Sequence, residues 1–278
     1  MTGDNPSSKT ELTLSKISKD RLPDYLSLFA ASFPNFKVTL EYLQWLYYEN
    51  PSGAVVGFDA MDNGNVVAHY ACIPVQIDGY EGRSLLSLNT ATHPDYQGRG
   101  LFRTLASKTY ESAESDYACV VGVANANSFG GFIRHLGFEH LGNLELRWGN
   151  ISRELGGSRC YDLKELQWRS RSPLAPLHLK ELKGGKFQFT AKPFCPIFHI
   201  RSIVHTCLPQ SKINPSTKIK RWSPRELGLT VDWVRGRKPL IFLPKRLKPS
   251  PLALIFKPLK VKDSSILSSW SFPDFDAL

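Results

Sequence analysis

With 278 residues, 42% of them hydrophobic and 22% charged, the chain can bury one large core or two small ones, so disordered and fibrous classes are set aside. It holds no run of about 18 apolar residues, and its opening MTGDNPSSKTELTLSKISKD is polar, so neither a spanning helix nor a targeting segment is expected and the chain reads as soluble and cytoplasmic. The net charge of +10 is lopsided: residues 1–150 carry 11 Lys and Arg against 16 Asp and Glu, and residues 151–278 carry 24 against 9.

Residues 1–10 read as a disordered tail and Leu12 to Ile17 as an edge strand. Asp20 is placed to cap a helix from Arg21 to Ala31, on which Leu22, Tyr25, Leu26 and Phe29 share one side, and Thr39 to cap a second from Leu40 to Tyr48. Ala54 to Met61 and Val66 to Val75 flank Asp62-Asn63-Gly64-Asn65, where Asn-Gly predicts a tight hairpin. A turn at Asp78 to Gly82 leads into a strand from Ser84 to Thr92.

The stretch from Leu85 to Leu105, LLSLNTATHPDYQGRGLFRTL, begins extended, breaks at His93-Pro94-Asp95-Tyr96 and restarts at Gly98 as a helix. In Gln97-Gly98-Arg99-Gly100-Leu101-Phe102 the two glycines let backbone N–H groups close on an anion, and the helix directs its positive end at the same place. Phosphate is the expected guest. Ala118 to Asn127 then reads as a strand, Ser128 to Leu136 as a helix ending in Gly137-Phe138, and Phe138 to Trp148 as a further strand. Antiparallel strands followed by strand-helix-strand-helix-strand predict an α/β fold, a mixed twisted sheet with helices on both faces.

These two segments resemble motifs A and B of the GNAT superfamily of acyl-CoA-dependent N-acyltransferases. Gln97-x-x-Gly100 follows a strand and an x-Pro-x-Tyr turn, and Asn125 follows a strand whose next helix ends in Gly-Phe. Phe102 departs from motif A, which usually has a small residue there. The resemblance implies a GNAT-like fold with acyl-CoA as co-substrate. It places the backbone amides of Gly98, Arg99, Gly100, Leu101 and Phe102 on the pyrophosphate, with the Gln97 side chain and Arg99 or Arg103 nearby. It also places the backbone of Thr90, Ala91 and Thr92 beside the thioester, and Asn125, Asn127 and Ser128 on the other side of the pantetheine arm.

Beyond residue 150 the chain is harder to read. Tyr161 to Ser170 echoes Thr39 to Tyr48, with Lys-Glu-Leu-Gln-Trp at 164–168 against Glu-Tyr-Leu-Gln-Trp at 41–45. Extended pieces follow at Phe187 to Ala191, Ile197 to His205, Gly228 to Val234, Pro239 to Phe242 and Leu252 to Phe256, and Trp270 to Asp276 is expected at a sheet edge. No second phosphate loop occurs. This layout resembles two-part GNAT-like enzymes, giving an acyl-CoA-binding domain over 1–150 and a basic, degenerate GNAT-like half over 151–278 that supports acceptor binding. The five cysteines are far apart with no CxxC pair, so reduced thiols are expected, and the seven histidines form no ligand cluster, so no metal is.

For chemistry, the strand from Ser84 to Thr92 has none of the carboxylates that many relatives use as base. The candidates are His69 and His93, whose imidazoles titrate near the needed pH, with Asn89 to orient the amine or a relaying water. Either histidine has a structural alternative: His69 pairing across the sheet, His93 serving its turn. A Tyr acid four or five residues before Gly-Phe is also missing, those places being Ile133 and Phe132. The basic half suits the diphosphate of a nucleotide-linked amino sugar, as in bacterial surface polysaccharide synthesis, and Trp45, Tyr47, Tyr48 and Trp168 are candidates to stack on its base or sugar. Alternatives are a polyamine, antibiotic, amino acid or protein amine as acceptor, or nucleic-acid binding through Lys212 to Arg225 and Arg235 to Lys248. Neither nucleic-acid binding nor stable membrane insertion is the reading preferred, and the acyl chain, acetyl or longer, is not fixed by the sequence.

Overall fold

The computed structural model describes residues 12–34, 38–148, 158–174, 177–182, 186–190, 201–205, 229–236 and 252–271. The chain runs β1 (Thr13–Lys16), α1 (Leu22–Ser32), α2 (Leu40–Tyr48), β2 (Val56–Asp62), β3 (Asn65–Gln76), β4 (Arg83–Thr92), α3 (Leu101–Ala113), β5 (Cys119–Ala124), α4 (Ala126–Leu136), β6 (Glu139–Asn143) and β7 (Glu145–Trp148). It continues with α5 (Leu163–Ser170), β8 (His178–Leu182), β9 (Lys186–Thr190), β10 (Arg201–His205), β11 (Leu229–Val234), β12 (Ala253–Pro258) and β13 (Ser269–Ser271).

Local chemistry sets most of these bounds. The Thr39 hydroxyl accepts from the Tyr42 amide at 3.1 Å and starts α2. Asp20 does not cap α1; it lies in a 3₁₀ turn, Lys19–Arg21, and the helix begins at Leu22 with Pro23 in its first turn. Proline's fixed φ favours such a start and needs no capped amide. In the first hairpin Asn63 and Gly64 both take left-handed conformations, φ 49° and 84°, the pair that matches the twist of the flanking strands.

The main sheet has the order β1-β2-β3-β4-β5-β12-β6, with a parallel step only between β4 and β5. α1, α2 and α5 pack into a core on one face, α3 and α4 into a core on the other. The fold is thus α/β, a mixed sheet with helices on both faces. Phe138 to Trp148, expected as one strand, divides at the buried Leu144: β6 stays in the main sheet while β7 joins β13 and β11 in a second one. A third sheet holds β10, β9 and β8, the last not foreseen. The division expected at residue 150 is therefore crossed twice, since β12 fills the space between β5 and β6 and β7 pairs with β11.

The echoed segments meet. Trp45 of α2 and Trp168 of α5 stack with ring centroids 4.5 Å apart at 16°, and each indole N–H donates to the other residue's carbonyl at 3.1 Å. Beside them the buried Arg159 and Glu165 pair at 3.1 Å, and the Ser52 hydroxyl donates to the second Glu165 oxygen at 2.9 Å. Cys72 and Cys119 are free and buried, their thiols pushed up to about 12 by burial. Cys160 is disulfide-bonded, which corrects the expectation of reduced thiols; its partner lies outside the described residues. Spacing along the chain carries no information on which distant cysteines the fold brings together. The tail at 1–10, Pro239 to Phe242 and most of both basic segments also lie outside the described residues.

Candidate active site

The site is opened by a defect in β4. Its pairing with β5 extends only from Leu85–Val120 to Ser87–Gly122, although β4 continues to Thr92 and β5 to Ala124. On its other side the register with β3 shifts between His69 and Ala71, and Asn89 sits there at φ 48°. The faces record the same shift: Leu86 and Leu88 point into the α1/α2 core, and so does Ala91, an odd step later. A bulge of this kind bends a strand and increases its twist. The strands diverge from Ser87 onward, leaving a wedge between Leu88 to Thr92 and the end of β5.

The loop at the mouth of this wedge is built as the sequence suggests. Gly98 and Gly100 have φ 74° and 76°, and an ideal Cβ at either would meet nothing within 4 Å, so both are glycine for their backbone conformation alone. Gly100 is the N-cap of α3 and offers no side chain to its first amides, which have no intrahelical acceptor and face outward. Gln97 turns the other way, donating from Nε2 to the Thr92 carbonyl at 3.3 Å and so tying the loop to β4. That carbonyl also accepts from the Ser32 hydroxyl at 3.2 Å. Arg99 donates to the Asp95 carbonyl at 3.0 Å and lies over the Tyr96 ring, while Arg103 is exposed on the side of α3 toward Leu14.

Phe102 points beneath the loop, its ring 5.0 Å from Phe132 and 6.0 Å from Tyr70. A Cβ on Gly131 would lie 2.8 Å from that ring, so the bulky residue on α3 is matched by a missing side chain on α4. Asn125 caps α4, its Oδ1 accepting from the amides of Asn127 and Ser128 at 3.0 Å each. The side-chain oxygen of Asn125 thus serves the helix, which Asn127 and Ser128 begin at the wedge. Phe132 is core, so the position expected for a tyrosine acid holds a packing residue.

The catalytic candidates divide. His93 accepts from the Asp95 amide at 3.3 Å and lies against Tyr96, which makes it a turn residue. His69 is fully buried: Nδ1 meets Asp59 Oδ1 at 2.7 Å, Nε2 meets the Tyr47 hydroxyl at 2.9 Å, and the Tyr25 ring lies tilted against it at 4.3 Å. With both nitrogens engaged, it is not placed to take a proton from an acceptor directly, and the cross-sheet alternative is the one observed. Tyr47 in turn accepts from Asn89 Nδ2 at 3.1 Å, and burial holds its phenol well above the ordinary value. Asp59 also accepts from Tyr25 at 2.8 Å and lies 3.6 Å from Arg21.

Asp59 was not singled out by sequence, and Tyr47 only as a stacking candidate. Counting back from the Asn63-Gly64 turn sets Asp59 opposite Ala68, but a bulge between Ala60 and Met61 moves it to His69. Trp45, Tyr47 and Trp168 are buried, so they are packing residues and not the stacking platform they suggested. Among the described residues no three His, Cys, Asp or Glu side chains gather as a metal ion would require, and no helix is long and apolar enough to cross a membrane.

Residues 13–141 match the model of the acetyltransferase (GNAT) domain. No curated protein matches the chain. Among solved structures, a conserved protein of unknown function from Enterococcus faecalis V583 is similar at 10% identity, covering 90% of this chain and 73% of that one with a TM-score of 0.55. The GNAT family N-acetyltransferase YhbS from Escherichia coli, solved with CoA, is similar at 21% identity over 50% of this chain and 73% of its own, with a TM-score of 0.41. A GCN5-related N-acetyltransferase from Anabaena variabilis gives 14%, 69%, 57% and 0.49. Over residues 13–141 the chain is thus similar to a GNAT acetyltransferase domain.

Proposed function

We propose that the chain transfers an acetyl group, or a longer or hydroxylated acyl group, from CoA to the primary amine of a nucleotide-linked amino sugar. The cofactor's pyrophosphate rests on the amides of Gly98 to Phe102 and its arm lies in the wedge beside Thr90, Ala91 and Thr92, with Asn125, Asn127 and Ser128 across from it. The amine nitrogen attacks the thioester carbon, the C–S bond breaks, and the proton lost by the amine ends on the released thiol. Proximity and orientation along the wedge supply most of the acceleration.

Charge carries the choice of acceptor: 24 basic against 9 acidic residues beyond residue 150 suit a diphosphate and disfavour polycationic amines. That part of the chain is read as a degenerate copy supporting the acceptor, and the reciprocal Trp45–Trp168 contact between echoed helices is what supports this reading. Two measurements test it. Gly100→Asp is expected to abolish CoA binding by calorimetry, because the position is open and a carboxylate there would face the pyrophosphate; an unchanged affinity in the folded variant removes the cofactor assignment. Thiol release from acetyl-CoA is then followed with dTDP- and UDP-linked amino sugars, polyamines, aminoglycosides and amino acids. Turnover confined to a polyamine or an aminoglycoside would replace the amino-sugar reading.

A further inference from the structure

Asn89 presents an unused acceptor at the wedge. It is half-buried, stands at φ 48° on the bulge of β4, and gives its Nδ2 to Tyr47. Among the described residues its Oδ1 meets no donor. A left-handed asparagine on a strand is uncommon and is kept where its surroundings hold it.

The orientation of that amide is dictated from the buried end of a chain of hydrogen bonds. Asp59 is fully buried: its Oδ2 accepts the Tyr25 hydroxyl at 2.8 Å and lies 3.6 Å from Arg21, and its Oδ1 faces His69 Nδ1 at 2.7 Å. The other ring nitrogen, Nε2, meets the Tyr47 hydroxyl at 2.9 Å, so the imidazole bridges the carboxyl group and the phenol. Tyr47 is thereby held at its hydroxyl, whose oxygen accepts the Asn89 Nδ2–H at 3.1 Å. With the amide nitrogen drawn inward, the carbonyl oxygen is turned outward.

We infer that Asn89 is the residue that receives the acceptor amine, its Oδ1 accepting an amine N–H so that the nitrogen lone pair faces the thioester, and that Tyr47, held by His69 and Asp59, is a positioning residue that acts only through Asn89. The inference rests on the acyl-transfer reading of the wedge. It separates the two halves of binding: the loop holds the cofactor, and the bulge holds the amine. Asn89 takes no proton itself.

The test uses the full chain and the amine of the panel above that gives the fastest thiol release with acetyl-CoA. Asn89→Ala is expected to raise KM for the amine and lower kcat, a combined loss of about 10- to 100-fold in kcat/KM, roughly the worth of one orienting hydrogen bond to a buried group, with the affinity for CoA unchanged. Tyr47→Phe keeps the ring and should lose a similar factor. The double variant should be no worse than Asn89→Ala alone, because Tyr47 has nothing left to position. Losses that multiply, or a Tyr47→Phe enzyme with unaltered KM for the amine, overturn the inference while leaving the cofactor assignment intact; absent CoA binding in the wild type would instead sink the acyl-transfer reading. A readout without turnover stands beside these. In the 15N spectrum, the Asn89 side-chain amide protons should be protected from solvent exchange in the wild type and lose protection in Tyr47→Phe. An unprotected wild-type amide contradicts the proposed chain.

Discussion

Phe102 and Gly131 show how one residue's departure from a pattern is absorbed by another. A glycine inside a helix costs about 1 kcal/mol relative to alanine, so Gly131 is expensive unless something occupies its space. The Phe102 ring does. Gly131→Ala is accordingly expected to destabilise by a net ~1 kcal/mol, overpacking of about 2 kcal/mol outweighing the gain in helix propensity. In a Phe102→Ala background the same change should stabilise, and urea denaturation of the four proteins measures the reversal of sign. Gly130→Ala is the control, since its Cβ would meet only the mobile end of Arg134. Sequence alone exposed Phe102 as unusual but not its partner, because the contact joins two helices across a distance that no spacing rule connects. The two loop glycines were legible because their φ requirement is local. Asp59 was not, because a single bulge moves it opposite His69, where counting from the turn sets it opposite Ala68.

Elements whose ends carry their own chemistry were readable: Thr39 before α2, Asn63-Gly64 in the hairpin, and the glycine-rich entry to α3. Those that depend on partners elsewhere were not, as with the division of β6 from β7. The meeting of α2 and α5 belongs to the second kind, although the repeated Leu-Gln-Trp hinted at it. Each tryptophan carbonyl in that contact also accepts the amide that follows its helix, from Glu49 and from Arg171. Removing one indole N–H therefore leaves no carbonyl wholly unpaired. Trp45→Phe and Trp168→Phe should each cost only about 1 kcal/mol, and nearly the same amount, in chemical denaturation. A marked inequality between the two would show that the contact is not the reciprocal one seen here.

At the scale of the molecule, the insertion of β12 between β5 and β6 makes the first 150 residues incomplete. A fragment ending at residue 150 would leave both neighbours of β12 with unpaired backbone in the middle of the sheet, and is expected to lack cooperative unfolding by circular dichroism. A fragment that melts cooperatively would restore the boundary suggested by charge and motif order. Charge asymmetry was plain in the sequence, but it describes composition, and composition does not reveal which strand crosses to which sheet. The wedge has a further consequence for handling the protein. From Leu88 onward one side of β4 is, among the described residues, a row of peptide groups lacking a neighbouring strand, the kind of surface on which other chains nucleate and precipitate. A ligand arm lying there would shield that row, so co-substrate concentration would govern solubility as well as rate, by mass action worth about 2.7 kcal/mol at a hundredfold excess over Kd.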